Sequence, residues 1–208
     1  MILYLHGFAS GPASRKARYF QQRLAARGID LLVPAMDEGD FRGLTITGQL
    51  QLVERLTGGK PVTLIGSSMG GYIAALYASR HPETEKLVLL APAFGFTHRW
   101  PKSLGEATLR QWQTSGALLV RHYAAGEMRE IGYQLIEDGE RYENYPDFHQ
   151  PALILHGSQD DVVPLAYSEQ FAATHPNVEL KVLDSNHELT DVLGEAWKET
   201  ERFLFARR

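Results

Sequence analysis

Short apolar, β-branched runs alternate along this chain with stretches whose apolar residues recur every three or four positions. The runs at 2–6, 29–33, 62–65, 86–90, 152–156 and 179–183 are rich in Leu, Ile and Val and predict strands. The stretches at 14–27, 43–56, 69–80, 165–174 and 191–206 predict helices. Ser14 stands where the first helix needs an N-cap, and Gly28, Gly58-Gly59 and His81-Pro82 stand where the first three should stop. Short, mostly apolar strands separated by helices imply a mostly parallel sheet, here of about six strands, covered by helices. The fold class is therefore α/β.

Between 94 and 148 this rhythm breaks. Helix-like pieces surround 104–114 and 118–128, aromatics are frequent, and no clear strand is visible. More than fifty residues is too long for a plain loop, so the segment reads as a small helical cap inserted between the fourth and fifth strands of one domain spanning 1–208.

Composition narrows the function more than the fold. A formal charge of −4 supplies no basic field for nucleic acid or an anionic membrane, and the acidic residues form no tail. The chain has no cysteine, which removes disulfides, thiolate catalysis and Cys-zinc sites together. No apolar run approaches the ~20 residues of a membrane span, and the start Met1-Ile2-Leu3-Tyr4-Leu5 lacks the pattern of a signal peptide. A soluble cytoplasmic protein acting on a small molecule is the expectation. No His-Glu-x-x-His or phosphate-loop pattern is present, so neither metal nor other cofactor is expected.

The chemistry-bearing candidate is Gly66-Ser67-Ser68-Met69-Gly70, set between a strand-like run and a helix-like one. A serine hydroxyl is a poor nucleophile and must be held out of the sheet where a base can take its proton; a sharp strand–turn–helix with flanking glycines does this. Such a turn would put the Met69 N–H near an oxyanion formed at Ser68. Alone the pattern is weak, because Gly-x-Ser-x-Gly arises readily by chance. Two further segments strengthen it. His156-Gly157-Ser158-Gln159-Asp160-Asp161-Val162-Val163-Pro164 follows the fifth predicted strand, and His187 follows the sixth. Nucleophile, acid and base would all lie at the C-terminal ends of strands, where parallel sheets present their sites.

With the order Ser68, Asp160, His187, the chain resembles the α/β-hydrolase superfamily, and within it the compact YqiA-like bacterial esterases and the mitochondrial acyl-protein thioesterases. The resemblance covers essentially the whole chain and implies a serine hydrolase for short to medium carboxylic esters or thioesters, working through a Ser68 acyl-enzyme. Ser68 matches the nucleophile, His187 the base and Asp160 the acid; the family spacing to Val163-Pro164 favours Asp160 over Asp161. His6-Gly7-Phe8 matches the segment whose third residue donates to the oxyanion, so Phe8 joins Met69. His6 and His156 are read as structural hydrogen-bonders in their loops. In this comparison the first strand already precedes the oxyanion segment, so two N-terminal strands of larger relatives have no counterpart. Phe94, Trp100 and Tyr133 are the cap aromatics proposed to line an acyl pocket, against the plainer reading that cap aromatics pack on the sheet. His98-Arg99 and Arg121-His122 are candidate anion contacts, with solvated surface as the plainer reading. The same triad could cleave amides, peptides or a carbon–carbon bond, and the fold could serve binding alone.

Overall fold

A computed structural model describes residues 1–205; the last residue of the helix expected over 191–206 lies outside them. In chain order the elements are β1 (Ile2–Leu5), α1 (Arg15–Ala25), β2 (Leu31–Leu32), α2 (Ile46–Thr57), β3 (Val62–Ser67), α3 (Met69–Ala78) and β4 (Thr84–Leu90). Then come α4 (Phe96–Ser103), α5 (Glu106–Ser115), β5 (Ala117–His122), β6 (Glu127–Gly132), α6 (Gln134–Gly139), β7 (Ala152–Gly157), α7 (Ala166–Thr174), β8 (Val178–Leu183) and α8 (Leu193–Phe205). Six strands form one parallel sheet in the order β2-β1-β3-β4-β7-β8. This is the α/β-hydrolase fold that the sequence implied.

Strand side chains alternate between the two faces, so one sheet feeds two cores. Leu3, Leu5, Leu64, Leu87, Leu89 and Ile154 face α3 and the 94–148 segment, in a cluster with Tyr72, Ile73, Phe94 and Trp112. Tyr4, Ile65, Val88, Leu90, Leu153 and Leu155 face the other way, against Phe20 and Leu24 of α1 and Trp197 of α8. The helix α3 is buried along all ten residues, which suits a helix apolar on every side. Helix starts follow local chemistry. Ser14 Oγ accepts from the Ala17 N–H, as expected, while Thr45 Oγ1 accepts from Gly48 N–H and starts α2 at Ile46 rather than at 43.

The order of strands places the site. After β2 the chain crosses to the opposite side of β1, so the loops after β1 and β3 diverge to opposite faces and leave a crevice between them. Their register pairs Leu5 with Gly66, bringing His6-Gly7-Phe8 beside Ser67-Ser68. On the other side, Gly157 pairs with Leu183, so the loops after β7 and β8 run together.

The 94–148 segment departs from expectation in one part. Residues 118–128 are not helical: β5 and β6 form an antiparallel hairpin with Leu118 opposite Ile131 and His122 opposite Glu127. Along β5, His122 is buried while Leu119 and Arg121 are exposed, the two-residue period of a strand with one covered face. Gly116 ends α5 in a left-handed conformation (φ 73°) that lets the chain reverse into β5. Helices α4, α5 and α6 supply the helical remainder. No helix among the described residues is long and apolar enough to cross a membrane.

Candidate functional site at the C-terminal rim of the sheet

Ser68 is the single residue between β3 and α3, with φ 53° and ψ −117°. A non-glycine residue in this region costs on the order of 1–3 kcal/mol and persists only where its surroundings hold it. Here the Ser68 N–H donates to the Leu90 carbonyl at 2.8 Å, and its own carbonyl accepts from Gly71, Tyr72 and Ala93 at 2.9–3.1 Å. Glycines at 66 and 70 are obligatory. A Cβ on Gly66 would strike the Gly70 carbonyl, and one on Gly70 would strike the Leu5 carbonyl of the neighbouring strand. The other positive-φ residues that are not glycine, Ala9, Glu38, Ala91 and Leu189, lie in the loops after β1, β2, β4 and β8. Backbone strain is thus gathered at the C-terminal rim of the sheet.

Around Ser68 the structure brings together residues that are far apart in sequence. Ser68 Oγ lies 3.0 Å from His187 Nε2, and His187 Nδ1 lies 2.7 Å from Asp160 Oδ2. Because a carboxylate only accepts, the Nδ1–H donates to Asp160 and Nε2 is left to accept the Ser68 hydroxyl proton. The Asp160 side chain has no exposed surface, and its Oδ1 accepts from the Val162 and Val163 N–H groups at 2.9 and 2.7 Å. Burial alone would push this carboxyl up; donors from His156, His187 and Val163 outweigh it and hold the group well below the usual carboxylate range. Asp161, the rival, is exposed.

Among the described residues, the Phe8 and Met69 N–H groups donate to no protein acceptor. Both residues line a crevice of only about 10 Å³, with Met36, Phe41 and Leu44. A larger, open groove of about 520 Å³ lies elsewhere, between Arg15, Arg18 and Tyr19 of α1 and the chain around Asp191; Ser68 lines neither space. Chemistry rather than volume marks the site here. Tyr123 N–H donates to the Ala9 carbonyl at 2.8 Å, fastening the hairpin to the loop that carries Phe8.

The three aromatics expected to line an acyl pocket have different surroundings. Phe94 is fully buried, stacked on Phe171 at 4.4 Å, so its ring has no surface to offer a substrate and the expected lining role is corrected to core packing. Trp100 is half-buried, with its ring 5.0 Å from that of Phe8. Tyr133 meets Trp112 at 5.3 Å, and Trp112 in turn meets Trp100 at 5.2 Å, so Tyr133 stands two rings back from Phe8. Of the two candidate anion contacts, Arg99 donates to the Val162 carbonyl beside Asp160, whereas His122 is buried edge-on to Phe41.

His6 ties its loop as the sequence suggested: Nε2 accepts from the Met36 N–H at 3.1 Å, and burial pulls its basicity down. His156, expected to bond within its loop, has Nε2 2.8 Å from the Val163 carbonyl and 3.1 Å from Asp160 Oδ2, and its Nδ1 meets Ser168 Oγ on α7. One charged residue near the site is not marked in the sequence. Lys16, half-buried on α1, is pulled down to about 8 by burial despite the fields of Glu188 and Asp160, and nothing local distinguishes it from the other α1 cations. One cluster, Glu54, His81 and Glu83, brings metal-type ligands within 4.8 Å of one another. It lies at the opposite end of the sheet, and His81 Nδ1 sits 3.2 and 3.1 Å from the two carboxylates, as in an ordinary hydrogen-bonded pair.

Residues 1–203 match the model of the uncharacterised protein family UPF0227. The chain is 24% identical to the human protein named monoacylglycerol lipase ABHD6, over 88% of this chain and 68% of that one. Its fold is similar to alpha/beta hydrolase domain-containing protein 10 from mouse, with a TM-score of 0.78 and 20% identity over 97% of this chain and 89% of that one. It is equally similar to Est1E from Butyrivibrio proteoclasticus, solved with ferulic acid bound, with a TM-score of 0.78 and 19% identity over 98% and 88% of the two chains. The chain belongs to the UPF0227 family.

Proposed function

We propose that this UPF0227 chain is a serine hydrolase of carboxylic esters, with thioesters of the same acyl groups as further substrates, acting through a Ser68 acyl-enzyme. The observation that carries the reading is the unbroken line of contacts from Ser68 Oγ through His187 to a buried, ionised Asp160. The name of the human lipase, and the ferulic acid bound to Est1E, are in keeping with ester chemistry.

In this mechanism His187 Nε2 takes the Ser68 proton as Oγ attacks the ester carbonyl, and then returns it to the leaving alcohol or thiol. Asp160 stays ionised, keeps the proton on Nδ1 and stabilises the imidazolium. The Phe8 and Met69 N–H groups receive the oxyanion; being fixed before the reaction, they favour the transition state over the ground state. Water repeats the sequence on the acyl-enzyme. Residues 94–148 act as the cap, with Trp100 the aromatic nearest the oxyanion loop. The narrow crevice beside Phe8 and Met69 favours short acyl groups.

A fluorophosphonate probe, with p-nitrophenyl acetate hydrolysis measured in parallel, tests this reading. Labelling and turnover that both vanish in Ser68→Ala are expected; a folded Ser68→Ala protein that still hydrolyses the ester would overturn it.

A further inference from the structure

Asp160 serves two imidazoles. Its Oδ2 lies 2.7 Å from His187 Nδ1 and 3.1 Å from His156 Nε2, while its Oδ1 takes the Val162 and Val163 N–H groups. His156 is the last residue but one of β7 and has no exposed side-chain surface. Its Nε2 is also 2.8 Å from the Val163 carbonyl, and its Nδ1 is 2.8 Å from Ser168 Oγ on α7. Both neighbours of Nε2 are acceptors, so Nε2 carries a proton. Ser168, fully buried, has His156 Nδ1 as the acceptor for its hydroxyl among the described residues. The proton order is then Ser168 O–H to Nδ1 and Nε2–H to the Val163 carbonyl, with Asp160 Oδ2 flanking that N–H at 3.1 Å.

We infer that His156 is a positioning residue for the proposed reaction, a permanent second donor that aims Asp160 and limits its pull on the His187 proton. The inference rests on the serine-hydrolase reading above. A histidine needed only to tie β7 to α7 would be satisfied by Ser168 and the Val163 carbonyl; the contact with the acid is additional. Oδ1 is held by two backbone N–H groups and Oδ2 by His187, with the His156 N–H flanking Oδ2 at 3.1 Å, so the carboxylate cannot rotate without breaking several bonds. Each donor also spreads the carboxylate charge, so the Nδ1 proton stays on His187 when the ring becomes cationic.

Removing the His156 donor should loosen Asp160 and make it more basic. A stronger hold on the His187 proton then moves the acid limb of kcat/KM to higher pH. Lys16 and Arg99, which both lie within Coulomb range of Asp160, and Glu188 beside His187 remain unchanged in such variants, so the displacement reads the lost donor. The experiment compares His156→Leu with His156→Gln, whose amide can donate to the same oxygen, in p-nitrophenyl acetate hydrolysis across pH. For His156→Leu the expected result is a kcat loss of roughly ten- to a hundredfold, little change in KM, and an acid limb raised by about 0.5–1 unit; His156→Gln should recover much of this. A folded His156→Leu protein with the kcat and acid limb of wild type would overturn the inference. Imidazole ¹⁵N spectra of the wild type decide the proton order without any turnover and whether or not the leucine variant folds. An Nε2–H tautomer for His156 is expected at pH 8; an Nδ1–H tautomer sinks the assignment. A wild type that turns over no ester would count against the hydrolase reading, and the spectra would still judge the proton order.

Discussion

The Tyr123 N–H donates to the Ala9 carbonyl at 2.8 Å, joining the tip of the β5–β6 hairpin to the loop after β1. Ala9 is itself held at φ 54°, directly after Phe8. The hairpin therefore braces the backbone that aims the Phe8 N–H, although it contributes nothing to the main sheet. Rings continue the brace, since Phe8 touches Phe41 at 5.4 Å and Trp100 at 5.0 Å. Removing the donor in Tyr123→Pro should lower kcat roughly three- to tenfold with KM little changed, because the proposed oxyanion donors act in the transition state. Steady-state kinetics on a short p-nitrophenyl ester measures this. Unchanged kcat would mean that the Phe8 loop is held without the hairpin.

Strain at Ser68 makes a separate prediction. Glycine adopts φ 53° and ψ −117° without steric cost, whereas serine and alanine do not. Ser68→Gly should thus be more stable than Ser68→Ala by about 1–2 kcal/mol, even after the larger backbone entropy that glycine loses on folding. Both should be inactive. Urea unfolding of the pair is the measurement, and equal midpoints would show that the elbow is relaxed around residue 68.

Asp160 couples the site to acid stability. Its folded-state ionisation is depressed below the ordinary value of 3.8, so it stabilises the fold above that value and loses this contribution as pH falls below it. The stability gap between wild type and Asp160→Asn should be full at pH 6–7 and close progressively below pH 4. Asp161→Asn, on an exposed side chain, should show no such gap and keep near wild-type activity, whereas Asp160→Asn should lose about 10³–10⁴ in kcat. Reversed rankings would move the acid to residue 161.

Much of this site was legible because its signals are local. Gly66 and Gly70 declare a strand and helix too close for side chains, and the spacing from His156 to Pro164 declares a loop with its acid at a set place. The hairpin was not legible, since Leu118-Leu119-Val120 satisfies a helical face as well as a strand. What decided it was burial of Ile131 and His122 against distant parts of the chain, a fact that no local window carries. The same holds for Trp100, whose ring meets that of Phe8 across ninety-two positions, and for Phe94, which Phe171 removes from the surface. His156 could be placed in its loop, but the second contact to Asp160 depends on how the whole turn closes.

Lys16 gives a prediction of opposite sign to Asp160. Burial pulls its ammonium from 10.5 to about 8, so the folded state binds its proton less well than the unfolded one. The charge is a cost that is fully present below pH 8 and fades as pH rises toward 10.5. Lys16→Met should raise stability at pH 7 by on the order of 1–3 kcal/mol, with the gain shrinking at pH 10. Chemical unfolding at the two values checks it. Destabilisation at pH 7 would mean that attraction to Glu188 and Asp160 exceeds the cost of burial.

Acyl-length preference should follow from the crevice beside the proposed oxyanion donors. At about 10 Å³ it holds little more than a methyl-sized group, and Met36, Phe41 and Leu44 close it. Acetyl and propionyl esters should therefore be the better substrates, with kcat/KM falling once the chain outgrows the lining. Leu44→Ala removes apolar volume from that wall while sparing Phe8, Met69 and the His6 tie to Met36. Each methylene newly buried adds ~0.8 kcal/mol, about fourfold in kcat/KM, so the optimum should move by one or two carbons and no further. A stability loss of about 2–4 kcal/mol accompanies the truncation of a buried leucine, so the assay belongs well below the melting temperature. Trp100→Ala, on the cap side of Phe8, separates the two walls. Should Leu44→Ala leave the profile fixed while Trp100→Ala shifts it, the acyl chain runs under the cap; if neither moves it, the leaving group rather than the acyl group is what the protein selects.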